Sequence, residues 1–161
     1  MAVLLVGLVG LGWAMTHLKF DLGTTFTYYQ WHKSFGTVAL VLLVLRGASR
    51  LAGRRPPDLR GTGWQRGVAH GVHLGLYGVM LALPITGWLM ASASPLHLPT
   101  RPFDAFTLPD LVSPDMGLFT TLNTLHTVLA YGLVVLLGLH VLGALKHQFV
   151  DHDRILRRIS F

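Results

Sequence analysis

The 161-residue sequence contains no cysteine, and all seven of its acidic residues are aspartates. Without cysteine there is no disulfide, no iron–sulfur cluster, no c-type haem attachment and no thiolate zinc site. Without glutamate, the carboxylate-bridged di-metal centre of helical bundles lacks its usual ligands. Charge is scarce too. Only 12% of residues are charged and 52% are apolar, whereas a soluble domain carries about 25% charged residues. With a mean hydropathy of +0.53, this is the composition of an integral membrane protein. At about 40 residues per membrane helix and connection, the length suits about four spans in a single domain, residues 1–161.

The net charge is +6 and the isoelectric point is near 10.3. The basic residues flank apolar stretches, so they read as topology signals and not as a nucleic-acid surface. The expected architecture is all-α, a four-helix transmembrane bundle with spans at about 1–18, 28–51, 68–91 and 117–145, followed by a tail over 146–161. The first run is short for a bilayer, which needs about 20 residues. It lacks the basic leader and small-residue cleavage site of a signal peptide. The second span contains His32, Lys33, Arg46 and Arg50. Lys33 and Arg50 can snorkel from its ends, but Arg46, one turn deeper, requires a partner. Pro84 is expected to kink the third span.

The loop over 52–67 holds Arg54, Arg55, Arg60 and Arg66 around the Pro56–Pro57 pair, and the tail holds Lys146, Arg154, Arg157 and Arg158. The opposite side has only Lys19 and Arg101 among four aspartates, Asp21, Asp104, Asp110 and Asp115. The positive-inside rule then places both termini in the cytoplasm. Five of the eight prolines fall within 92–115, which predicts a compact extracytoplasmic cap.

Histidine is the unusual component. There are nine, several inside apolar runs where ionisable groups mark function by default. Spans two and four run in the same direction, which places His32 and His126 at similar depth near their outer starts. His140 lies fourteen residues beyond His126, and Arg46 lies fourteen beyond His32. Fourteen residues return a helix to within about 40° of the same face, about 21 Å further along. Two imidazoles facing each other across a bundle supply the two axial positions of a b-type haem, and a buried arginine suits its propionates. Gly36, Gly138 and Gly143 are placed to admit a flat macrocycle. Zinc fits less well, since no third or fourth ligand accompanies the pair. A single intramembrane histidine commonly serves as a helix–helix hydrogen bonder, but the matched pair with a third at face-preserving spacing points to cofactor ligation. His70 and His73 lie at the inner start of span three, where ligation and an interfacial role are both open. His17, His97, His147 and His152 fall at or beyond span ends and are assigned to solvent or headgroups.

The segments WHKSFG at 31–36, LRGASR at 45–50, AHGVHLGLYGVMLALPITGWLM at 69–90 and LHTVLAYGLVVLLGLH at 125–140 resemble the bacterial di-haem cytochrome b561 family, over nearly the whole chain. That resemblance implies a four-helix inner-membrane electron carrier with two b haems, whose best-studied branch oxidises superoxide and reduces ubiquinone. It makes His32 and His126 the ligands of an outer haem, His140 one ligand of an inner haem, and Arg46 a propionate contact. The family's other inner ligand is a His-Trp pair at the cytoplasmic start of the first helix, which this sequence does not contain. Either the start is set at an internal methionine, the reading we favour here, or His70 or His73 re-ligates the inner haem. The ligands in the chain itself support one haem.

The expected function is one-electron transfer in the cytoplasmic membrane, from an extracytoplasmic donor such as superoxide to a quinone, or with a partner redox protein. Lys33, with Lys19 and Arg101 nearby, either draws an anion toward the outer haem or contacts lipid headgroups. Tyr28, Tyr29 and Trp31 either border a quinone pocket or form an interfacial belt. Two other functions stay open: a haem-bearing anchor of a hydrogenase- or dehydrogenase-type complex, and a haem-free small transporter or structural membrane protein.

Overall fold

The computed structural model describes residues 1–53, 63–96 and 98–150. The arginine cluster at 54–60, His97, and the tail with His152, Arg154, Arg157 and Arg158 lie outside the described residues. The fold is all-α: α1 (Ala2–His17), α2 (Leu22–Ala52), α3 (Gly63–Ala93) and α4 (Met116–Phe149), with one short 3₁₀ turn at Pro102–Asp104. Three of these helices, α2, α3 and α4, are long and apolar enough to cross a membrane. The first has 16 residues, about 24 Å of helix against a hydrocarbon core of about 30 Å.

The helix starts follow capping chemistry and not apolarity. Asp21 caps α2 by accepting the Thr24 amide at 3.0 Å, and Asp115 caps α4 by accepting the Leu118 amide at 2.7 Å. A carboxylate there satisfies an orphan amide and complements the helix dipole. The cap at Asp21 explains why α2 begins before the apolar stretch from residue 28 does. Pro84 remains inside α3, where it lacks the amide that would have bonded the Met80 carbonyl.

The helices turn apolar side chains outward. Val3, Leu22 and Leu51 are 88–90% exposed, and among the described residues few apolar side chains are buried, Ala39, Leu43 and Leu133 among them. Such a surface is an aggregation hazard in water and the required exterior in lipid. Helix α3 packs along α4, and α2 packs on α1 and α3. Gly75 gives Leu136 of α4 its space against α3, since a Cβ there would lie 3.2 Å from Leu136 Cδ1.

The segment between α3 and α4 is strapped over the helix ends by hydrogen bonds. Trp88 Nε1 donates to the Pro109 carbonyl at 3.0 Å, and the Leu111 amide donates to Ser92 Oγ at 3.1 Å. On α2, the buried Ser34 hydroxyl accepts the Phe103 amide at 2.9 Å. Phe103 and Asp104 both adopt positive φ, 49° and 55°. This is a tight reversal for non-glycine residues, held by the Thr100–Leu108 bridge.

Candidate cofactor site

His32 on α2 and His126 on α4 meet at one level of the bundle, their ring centroids 6.3 Å apart and their planes at 73°. A histidine nitrogen binds a metal at about 2 Å, so an iron could be held between two rings at this separation. Among the described residues no group of three or more His, Cys, Asp or Glu side chains could hold a metal ion.

Each imidazole is seated against a glycine of a neighbouring helix. A Cβ at Gly12 of α1 would lie 3.3 Å from His32 Cε1, and a Cβ at Gly87 of α3 would lie 3.3 Å from His126 Cε1. These are positions where a side chain would crowd a ring. The glycines singled out in the sequence behave differently. A Cβ at Gly36, Gly138 or Gly143 would meet nothing within 4 Å, which leaves space beside the helices that carry His32, His126 and His140.

The two rings are held unequally. His126 Nδ1 lies 3.0 Å from Thr86 Oγ1, whereas His32 Nδ1 is buried with no hydrogen-bond partner among the described residues. Next to His32, Lys33 is directed into the cap, its Nζ donating to the Leu98 carbonyl at 3.4 Å. Trp31 borders an open recess of about 480 Å³, shared with Gln30, Arg101 and Phe103.

At the other level, His140 on α4 meets His73 on α3, with ring centroids 5.3 Å apart. That is about 1 Å shorter than the His32–His126 separation. His70 is exposed. Arg46 Nε donates to Tyr77 Oη at 3.3 Å, and Arg50 Nη1 donates to the same oxygen at 3.4 Å. The Arg50 guanidinium also lies 5.6 Å from the Tyr77 ring centre. Arg46 thus has its partner, a tyrosine. Among the described residues neither guanidinium pairs with a carboxylate; the one ion pair joins Arg101 to Asp104 at 3.8 Å. His17 lies outside both levels, stacked on Trp13 at 5.1 Å.

Sequence reasoning missed Thr86, Gly12, Gly87 and the role of Tyr77. Tyr77 carried a signal, one turn from His73 on the same helix face. Thr86 and Gly87 stand just after Pro84 within a motif matched as a string, and Gly12 had no distinguishing context.

The whole chain, residues 1–161, matches the family model described as prokaryotic cytochrome b561. It is 31% identical over 159 residues to "Cytochrome b561 homolog 2" of Escherichia coli (strain K12), covering 98% of this chain and 84% of that protein. It is also 31% identical over 140 residues to "Probable superoxide oxidase CybB" of Yersinia pestis, covering 83% of this chain and 77% of that protein.

Proposed function

The chain belongs to the prokaryotic cytochrome b561 family, and from that premise we propose that it passes single electrons from an extracytoplasmic donor, superoxide being the first candidate, to a membrane quinone. Membership makes it a multi-pass bacterial membrane protein that binds b-type haem and works in electron transfer with a redox partner. The observation that carries the finer reading is the His32–His126 pair, 6.3 Å apart.

In this reading His32 and His126 hold the outer haem, which supplies a one-electron iron centre. Gly12 and Gly87 give the two imidazoles their space. Lys33, Lys19 and Arg101 are the cations that would attract an anionic donor on that side, among four aspartates. Arg101 is the weakest contributor, because Asp104 lies 3.8 Å away. The recess beside Trp31 is the place for a quinone ring, with an aromatic wall and a polar floor. At the inner level His140 is the ligand, with Arg46 for a propionate. His73 is its partner within this chain, as the histidine whose ring meets His140. Both termini are cytoplasmic, in keeping with the basic residues at 54–66 and 146–158.

The test is to purify the full chain with haem and mix it rapidly with superoxide, with and without a short-chain ubiquinone. Haem reduction by superoxide, followed by quinone-dependent reoxidation, is expected. A haem that superoxide leaves oxidised overturns the donor, and one that stays reduced in the presence of quinone overturns the acceptor.

A further inference from the structure

Thr86 contributes to the outer site through a proton count. Its Oγ1 lies 2.8 Å from the Ala82 carbonyl, 3.0 Å from the Leu83 carbonyl and 3.0 Å from His126 Nδ1. A hydroxyl has one proton and two lone pairs, and a carbonyl oxygen only accepts. If the hydroxyl gave its proton to His126, two carbonyl oxygens would face its lone pairs at hydrogen-bond distance, which is repulsive. The proton therefore goes to the helix carbonyls, and Thr86 Oγ1 is left as an acceptor. His126 then donates from Nδ1 to that oxygen and presents an unprotonated Nε2, with the Leu83 backbone carbonyl a second acceptor beside the ring.

We propose that Thr86 is a positioning residue that fixes His126 as the Nδ1–H tautomer, so that Nε2 of His126, and not Nδ1, is the iron ligand of the outer haem. The inference rests on the ligand reading above, and adds to it which atom binds and what holds it there. Thr86 is itself fixed, being buried in α3 one residue from Gly87, whose missing side chain leaves room for the same ring. Imidazole ligands are commonly oriented by an acceptor on the other ring nitrogen, which also raises ligand basicity. His32 has no such partner among the described residues.

The experiment uses the full chain loaded with haem and compares Thr86→Val, which keeps the shape without the hydroxyl, with Thr86→Ser, which keeps the hydroxyl. The readouts are haem loss to excess apomyoglobin and the low-spin ferric electron paramagnetic resonance spectrum. Thr86→Val is expected to weaken haem retention about 10-fold or more and to shift the outer-haem signal, while Thr86→Ser stays within about twofold of the parent. If Thr86→Val does not accumulate, Thr86→Ala removes the hydroxyl without a branched carbon and carries the same expectation. His126→Ala is run in parallel. Parental retention and spectrum without the hydroxyl, with the haem lost in His126→Ala, overturn the role of Thr86 and leave the ligand reading standing. Retention of the outer haem in His126→Ala overturns both.

Discussion

The rings of His32 and His126 stand 6.3 Å apart on α2 and α4, two helices that are not among the closely packed pairs of the described residues. This pair of imidazoles joins the two helices across ninety-four positions of the chain. In the proposed reading, removing either ring removes a haem ligand. His126→Ala is expected to abolish the outer haem while the protein still inserts in the membrane. Haem per chain in the purified variant, set beside its abundance in the membrane fraction, checks this.

Gly87 offers a second approach to the same ring. A branched side chain there starts from a Cβ 3.3 Å from His126 Cε1, so the imidazole must move. Gly87→Val is expected to lower outer-haem content severalfold. Gly78→Ala, at a position on the same helix where a Cβ meets nothing within 4 Å, is expected to leave it unchanged. Equal haem content in the two variants would show that the ring tolerates the crowding.

Arg46 and Arg50 share one phenol oxygen, that of Tyr77. A positive charge near a haem favours the reduced form, so Arg46→Ala is expected to lower the midpoint potential of the inner haem and leave the outer one unmoved. Tyr77→Phe keeps both charges and should have a smaller effect. With a haem bound at each level, as proposed, a redox titration gives the answer, and equal shifts at both would contradict a local role.

Asp21 provides a pH signature outside the membrane spans. The Thr24 hydroxyl and amide hold its carboxyl below the ordinary value of 3.8. A folded-state value below the unfolded one means the cap stabilises fully above 3.8 and loses that contribution as pH falls through the folded value. The difference in Tm between the parent and Asp21→Ala is therefore expected to be constant at neutral pH and to shrink as pH drops below 3.8. Thermal melts in detergent across that range measure it.

Much of the arrangement is readable in the linear sequence because membranes leave few options. Low charge and long apolar runs dictate helices, since every backbone polar group in lipid must be satisfied within its own segment. The 14-residue spacing from His126 to His140 fixes their shared face by helix geometry alone. The motifs around His32, His70 and His126 carried the family resemblance. Local chemistry was less visible: α2 starts where Asp21 caps it, a detail that hydropathy does not register.

What needed tertiary structure is whatever depends on the rotation of one helix against another. Apolar content says that a helix lies in lipid, but many rotations bury equal area, and small residues select among them. That selection brings His73 to His140, Tyr77 under Arg46 and Arg50, and Gly12 against His32. It also puts Thr86 on His126, where a single hydroxyl proton decides which nitrogen of the imidazole is left free.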